Sequence, residues 1–188
     1  MSGRSGPSVW HTRPPNPRYI SSWNQRQQAA TSAQVGVANQ AHLSAILIEY
    51  PCSVDQMTMN ISTGSAGSGI FLGLYKPLKS TPFTGVGGTR LGVSAEIDAA
   101  SASIKVWTFA APIRLTPGYY FGALVTEDGT QQFRRATANA IYDDASAEFI
   151  KGSIYDVGSF AAPLDPCPAL TASNNASFVF LLRVSTWG

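Results

Sequence analysis

The feature that most constrains this chain is a succession of short runs in which apolar and polar residues alternate, each closed by a turn signal. Between Val54 and Thr63, apolar side chains fall on every second residue over most of the run. A glycine- and serine-rich segment follows at Gly64–Gly69, and Leu115–Gly118 has proline and glycine in the order that a tight turn needs. A period of two residues buries one face of a β-strand and leaves the other polar. The pattern therefore predicts strands and turns.

The same pattern recurs along most of the chain and predicts about seven to nine strands. The runs with strand character are Leu43–Tyr50, Val54–Thr63, Ile70–Tyr75, Leu91–Ile97, Ile104–Phe109, Tyr119–Val125, Thr130–Thr137 and Ser177–Ser185. Turns at such short intervals favour an all-β fold with two packed antiparallel sheets. We therefore expect residues 43–188 to form a β-sandwich, most naturally a jelly roll. Gly122 predicts a bulge or the close approach of a neighbouring side chain.

One part of the predicted sandwich lacks this periodicity. Residues 140–175 contain Pro163, Pro166 and Pro168, and we expect an irregular insertion there. Within it, Asp143–Lys151 predicts a short helix, because acidic residues at its start would cap the first turn.

The first 42 residues differ from the rest in charge and composition. They hold four of the chain's 13 basic residues and none of its 11 acidic residues. Pro14, Pro15 and Pro17 favour extended backbone and oppose a helix. We interpret residues 1–42 as an extended basic arm that docks onto a larger partner through aromatic and arginine side chains. The predicted contacts are Trp10, Arg13, Arg18, Tyr19, Trp23 and Arg26.

The arm has two other interpretations. A disordered tail with aromatic residues placed by chance is the first. Nucleic-acid binding is the second, but four arginines without a matching fold make a weak electrostatic footprint. We therefore expect no nucleic-acid partner.

Residues suited to catalysis are scarce. The two histidines, His11 and His42, lie in the arm and at the start of the first predicted sandwich strand, and no serine stands in a Gly-x-Ser-x-Gly sequence. The glycines of Gly85–Gly88 lie between strand-like runs, without the following helix that phosphate-binding loops need. We expect a non-enzymatic protein with no catalytic residues and no cofactor.

No metal centre is expected. Cys52 and Cys167 are far apart in the sequence, and neither belongs to a Cys-x-x-Cys pair. We expect reduced thiols, with a disulfide between them as the alternative. The acidic residues of the irregular segment match no calcium loop, and a solvated helix face explains them better than a glycosidase pair. They are Asp143, Asp144, Glu148 and Asp156.

Charge and hydropathy bear on where the protein acts. Charged residues make up 13% of the chain, about half the usual ~25%. A weakly charged surface suits a protein that lives in an assembly, although a soluble domain with a neutral surface is the alternative. No apolar run approaches the roughly 18 residues that cross a bilayer, so we expect no membrane insertion. The first residues lead into no apolar segment, so no secretory signal is expected either.

Aromatic residues concentrate in the central strands. About half of the side chains of a sandwich strand point outward, and exposed aromatic side chains bind sugars or partner subunits. The candidate glycan or subunit contacts are Trp107, Phe109, Tyr119 and Phe133. The alternative, which we favour slightly, is that these residues form the core together with a subunit interface.

The central region also contains a distinctive series of short sequences. They are Met-Thr-Met-Asn-Ile-Ser-Thr, Gly-Ser-Ala-Gly-Ser, Phe-Leu-Gly-Leu-Tyr, Pro-Phe-Thr-Gly and Leu-Thr-Pro-Gly-Tyr-Tyr-Phe-Gly-Ala-Leu. From Leu43 to Arg135, this series resembles a recurrent jelly-roll domain encoded among the structural genes of tailed bacteriophages, in tail or tail-fibre proteins. The short chain, the arm and residues 140–175 depart from that pattern.

The resemblance implies a virion component that is assembled in the cytoplasm of the host bacterium, with no catalytic residues to carry over. It implies a homo-oligomer, and we favour a trimer. One placement is a tail appendage or fibre that projects the sandwich toward host surface glycans. Another is a decoration or cement protein of the capsid, whose arm crosses capsomer boundaries. A free carbohydrate-binding module is a further alternative.

Overall fold

The computed structural model describes residues 19–21, 32–78, 87–135, 151–176 and 178–188, and these residues form strands and connections without helices. The strands are β1 (Tyr19–Ser21), β2 (Ser32–Val35), β3 (Gln40–Ile48), β4 (Cys52–Thr63), β5 (Gly69–Pro77), β6 (Gly88–Val93), β7 (Ile97–Asp98), β8 (Ser103–Leu115), β9 (Gly118–Thr126), β10 (Gln132–Arg135), β11 (Lys151–Asp156), β12 (Thr171–Ala176) and β13 (Phe180–Trp187).

The strands form two antiparallel sheets that pack against each other. Sheet A has the order β8-β4-β13-β1, with β10 pairing the far end of β4 and β2 pairing β10. Sheet B has the order β6-β5-β9-β3-β11-β12, with β7 beside the start of β5. The series β8-β4-β13-β1 against β6-β5-β9-β3 is the strand order of an eight-stranded jelly roll. The predicted fold class is therefore confirmed.

The interior between the sheets is filled by the apolar positions that the period of two predicts. On β4, the side chains of Met57, Met59 and Ile61 are buried. Opposite them, Gly122 faces the interior from β9, where a Cβ atom would lie 2.7 Å from the ring of Phe180 on β13. The expected close approach at Gly122 is thus confirmed, because glycine makes room for a phenylalanine of the other sheet.

The connection from β8 to β9 carries the chain from sheet A to sheet B. At its end Gly118 has a φ of +141°, which favours glycine. The hydroxyl group of Tyr120 accepts a hydrogen bond from the N–H of Thr116 (3.0 Å) and donates one to the Thr116 carbonyl oxygen (3.1 Å). This is the geometry of a tyrosine corner, a feature of immunoglobulin-type β-sandwiches. The corner fixes how the two sheets are joined.

The outer face of sheet B is covered by residues 157–170, which we call the strap. Its apolar residues pack on the face of sheet B that points away from the interior and bury much of this face, although Leu47 near the end of β3 is 41% exposed. The buried residues of this second cluster are Ala41, Leu43, Tyr75, Phe121, Ala123, Val125, Tyr155, Cys167 and Leu170.

Hydrogen bonds hold the strap in place. The hydroxyl group of Tyr75 donates to the carbonyl oxygen of Leu164 (2.6 Å), and the N–H of Leu164 donates to the hydroxyl oxygen of Tyr155 (2.9 Å). The guanidinium group of Arg90 donates to the carbonyl oxygen of Pro163 (2.7 Å). These three backbone polar groups of the strap thus find partners on β5, β6 and β11 of sheet B.

Two boundaries differ from those predicted. The assigned arm, residues 1–42, contributes β1 and β2, so the sandwich includes Tyr19–Ser21 rather than beginning at residue 43. Strands of three or four residues are too short to show a period of two. The segment expected to be irregular, residues 140–175, contains β11 and β12, which extend sheet B beside β3. The predicted helix lies outside the described residues, apart from Lys151 at the start of β11.

Candidate binding surface

The outer face of sheet A carries no strap among the residues that the structure describes. Its side chains come from the positions of β1, β13, β4 and β8 that alternate with the buried ones. The strand register places Tyr19, Arg183, Gln56 and Thr108 in one row, Ser21, Leu181, Thr58 and Val106 in the next, and Asn60 with Ile104 beyond them.

Apolar and uncharged polar side chains make up most of this face. The exposed fractions of its large apolar residues are 44% for Tyr19, 36% for Leu181, 47% for Val106 and 65% for Ile104. Gln56 Nε2 donates a hydrogen bond to Thr108 Oγ1 (3.1 Å) between the strands. Exposed apolar residues grouped on one face are typical of a surface that contacts another protein.

A bidentate ion pair lies on the same face. Arg183 donates from Nε to Oδ1 and from Nη2 to Oδ2 of Asp55, both at 2.7 Å. Asp55 stands where the register of β4 shifts against both neighbouring strands. The hydrogen bonds from Arg183 hold the pKa of Asp55 below its usual value, and the pKa of Arg183 is raised in return. The two charges neutralise each other, so this pair adds no net charge to the surface.

The four aromatic residues predicted as contacts do not form one surface. Trp107 and Phe109 on β8 pack against the interior, with ring centroids 4.3 Å apart, and Phe109 is buried. Phe133 is fully buried, edge-on to Phe178. Tyr119 lies on sheet B, half-buried against the cluster under the strap.

Burial removes Phe109 and Phe133 as surface contacts. For Phe109 the reason lies in the alternation along β8, whereas Phe133 lies on β10 and packs against Phe178. Ile104, Val106 and Thr108 occupy the outward positions, so the aromatic residues between them enter the sandwich. The core interpretation fits Phe109 and Phe133, and the exposed apolar residues of β8 are the aliphatic ones.

One of the predicted arm contacts lies among the described residues. Tyr19 begins β1, stands opposite Arg183 of β13, and exposes its side chain on the outer face of sheet A. The remaining predicted contacts lie outside the described residues. They are Trp10, Arg13, Arg18, Trp23 and Arg26.

His42 lies inside the sandwich. Its Nε2 accepts a hydrogen bond from the N–H of Val37 (3.3 Å), and its ring stands edge-on to Phe178 with centroids 5.1 Å apart. Burial lowers the pKa of His42 to about 4. At neutral pH the imidazole is therefore uncharged and serves as a hydrogen-bond acceptor in the interior.

The two cysteines are buried free thiols. Cys52 belongs to the cluster between the sheets and Cys167 to the cluster under the strap, so the sandwich separates them. Burial raises the pKa of both thiols, that of Cys167 to about 12. Such thiols are poor nucleophiles because little thiolate forms.

Acidic side chains are the other candidate metal ligands. Of the acidic residues singled out in the sequence, Asp156 lies in β11 and accepts a hydrogen bond from Gln40 (3.1 Å), whereas the others lie outside the described residues. Within the described ranges, no three His, Cys, Asp or Glu side chains stand close enough together to hold a metal ion. The same ranges contain no helix long and apolar enough to cross a membrane.

The fold and this surface define a β-sandwich protein of the jelly-roll class whose sheet A exposes apolar side chains on its outer face. Comparison with known proteins finds no family model that matches the chain and no curated protein with significant sequence similarity to it.

Proposed function

We propose that this chain is a non-enzymatic structural protein of a tailed-bacteriophage particle, of the tail-appendage or tail-fibre type, anchored by the residues that precede β1. The sequence of the central strands resembles jelly-roll domains of such particles, and the strand order supports that interpretation. Its partners would be other virion proteins.

The observation that carries the proposal is the position of β1. Tyr19, its first residue, lies at the edge of sheet A, and its side chain belongs to the uncovered outer face. Residues 1–18 join the sandwich at this point, with three arginines and no acidic residue. Basic residues and an uncharged apolar surface are therefore adjacent along the chain, an arrangement that suits docking onto an acidic site of a larger assembly.

Deletion of residues 2–18 tests this anchoring. A deletion that extended through Gln28 would also remove β1, so ending it before Tyr19 separates docking from folding. We expect the shortened protein to fold, as judged by far-UV circular dichroism and a cooperative thermal transition, but to be missing from purified particles. A matched control replaces Arg4, Arg13 and Arg18 with glutamine, which keeps the length and removes the charge. Normal incorporation of the deletion variant would overturn the proposal.

A second candidate is a decoration or cement protein of the capsid, favoured by the outer face of sheet A, whose one ion pair adds no net charge. An area built from four strands could lie flat on a capsid subunit, with the arm reaching a neighbour. Separation of heads from tails, followed by detection of the chain in each fraction, distinguishes the two placements. Heads that lack the chain should also open at lower temperature if it acts as cement.

Contact with host glycans, or action as a free carbohydrate-binding module, has less support. A sugar platform needs exposed aromatic rings on one surface, and the predicted set is divided between the interior and sheet B. A glycan array probed with the full chain tests this option, with Trp107→Ala as the control. Binding that survives the substitution would exclude Trp107 as the sugar contact.

A further inference from the structure

Strand β8 forms an edge of sheet A. It pairs with β4 on one side, and no strand of the described chain pairs with it on the other. Residues 103–108 follow a regular register against residues 56–61. Beyond Thr108 the register shifts, so residues 109–112 stand opposite Asp55 alone. The regular part of the edge therefore covers residues 103–108.

The regular part of this edge has little of the protection that keeps edge strands from pairing. Such strands are usually protected by a lysine, an inward-pointing charged residue, a proline or a bulge. Within residues 103–108 the charged residue is Lys105, whose side chain is 11% exposed and whose Nζ lies 3.9 Å from a carboxylate oxygen of Asp98. Pro112 and the bulge come after the regular part. Ile104 and Val106 are instead exposed along the edge.

The opposite edge of sheet A is different. It is formed by β1 and β2, which have three and four residues and offer little backbone for pairing. The longest regular edge of the described sheet A is thus that of β8, and an extended strand is the partner that its backbone groups fit.

We propose that β8 pairs with β8 of a second copy of this chain, antiparallel about a two-fold axis at Val106, so that two copies of sheet A form one continuous sheet. A two-fold arrangement satisfies both edges at once because each strand is the partner of the other. It gives a dimer, in contrast to the trimer expected from the sequence. The inference is independent of the proposed function, since self-association can be measured on the purified chain.

Charge disfavours the register centred on the preceding residue. An axis at Lys105 would place two lysines opposite each other, which is unfavourable. An axis at Val106 places Val106 opposite its own copy and Ile104 opposite Thr108 of the partner subunit, both on the outer face. It also places Lys105 opposite Trp107 of the partner subunit, so that no two lysines face each other.

Cysteine cross-linking of the full chain tests the register. In the proposed pairing, the two copies of residue 106 have Cα atoms about 4.5–5.5 Å apart, which a disulfide can bridge. The two copies of residue 108 would be roughly 13 Å apart, too far for a disulfide. Both native cysteines are buried. We expect mild oxidation to link Val106→Cys into dimers at least about tenfold faster than Thr108→Cys. Equal rates, or no linkage at residue 106, would overturn the proposal.

A charge substitution tests the interface itself. Val106→Lys places two ammonium groups at the axis, so we expect the dissociation constant of the dimer to rise at least about tenfold in sedimentation experiments. The matched control is Leu181→Lys on the same face, two strands away from the edge, which should leave the dimer intact. Circular dichroism establishes that both variants fold. A wild-type chain that stays monomeric throughout the concentration series, or equal effects of the two lysines, contradicts the proposal.

Discussion

The two outer faces of this sandwich differ in what covers them. The strap lies over the outer face of sheet B and turns its apolar residues into a second buried cluster. On sheet A, Tyr19, Leu181, Val106 and Ile104 remain exposed beside an internally neutralised ion pair. A jelly roll by itself buries the faces between its sheets, so covering apolar residues grouped on an outer face needs another part of the chain or a partner. The strap provides this cover on sheet B, and we infer that the outer face of sheet A is available to a partner.

The sharpest test of this contrast compares one substitution on both faces. Leu43→Ala removes a side chain beneath the strap, and we expect it to lower the free energy of unfolding by about 2–5 kcal/mol. Leu181→Ala removes an exposed side chain from sheet A and should cost less than about 1 kcal/mol. Denaturant titration of both variants measures the difference. Similar losses of unfolding free energy in the two variants would show that the two faces do not differ in their contribution to stability.

The stability of the fold should also depend on pH, because a histidine is buried between the two sheets. Because the folded state holds the pKa of His42 at about 4, below the ordinary 6.5, the unfolded state binds protons more readily. Stability should therefore be full above about pH 6.5 and fall toward pH 4, with a slope of up to about 1.4 kcal/mol per pH unit from this residue.

The matched variant for this pH dependence is His42→Gln, which has no titrating ring. It should show a shallower decline over the same interval when thermal or urea unfolding is followed as a function of pH. An unchanged slope would assign the acid sensitivity to other groups.

A smaller and local effect is expected from the hydrogen bonds that hold the strap. Tyr75→Phe leaves the carbonyl oxygen of Leu164 without its 2.6 Å donor, at an expected cost of about 1–2 kcal/mol. Amide hydrogen exchange should accelerate in residues 157–170 and stay unchanged in β4 and β13. The matched variant Tyr120→Phe breaks the tyrosine corner between the sheets. We expect amide exchange in this variant to increase without preference for the strap. Uniform acceleration in Tyr75→Phe would mean that the strap does not open separately.

The smallest effect is expected on the uncovered face. Asp55→Asn removes the carboxylate partner of Arg183, but a pair this near the solvent is screened and contributes little. We expect a small decrease in melting temperature that disappears in high salt. The pKa of Asp55 is lowered in the folded state. The stabilisation from the ion pair is therefore present above about pH 3.8, and it is lost as the pH falls through the lower pKa of the folded state. A large decrease at any salt concentration would contradict this view.

The sandwich itself was predictable because long strands repeat the period of two several times. Along β4, Met57, Met59 and Ile61 alternate with polar residues and mark the inward face without any knowledge of their partners. The turn at Leu115–Gly118 was equally predictable, since proline and glycine each have a local conformational role. The tyrosine corner was missed, although Tyr120 two residues after the glycine was the available signal.

The binding surface was harder to predict because it depends on neighbours far apart in sequence. The predicted contacts favoured aromatic residues, yet whether a ring points outward depends on the register, and on β8 that register turns Ile104 and Val106 outward. Asp55 and Arg183 meet at a bulge that no local pattern indicates. Short strands such as β1, and the cover that the strap provides, arise from tertiary pairing and leave little trace in periodicity.

The pairing of β1 with β13 also has a consequence for the order of events during biosynthesis. Tyr19 stands opposite Arg183, so the first strand of the jelly roll is completed by the last. Contacts between residues so distant in sequence form late, because a long loop must close first. On the ribosome, β13 emerges after the other strands of the described sandwich, so β1 has no strand to pair with until β13 has been synthesised. The junction with residues 1–18 is therefore positioned only after β13 has formed, which excludes chains truncated before β13 from any assembly that binds this junction.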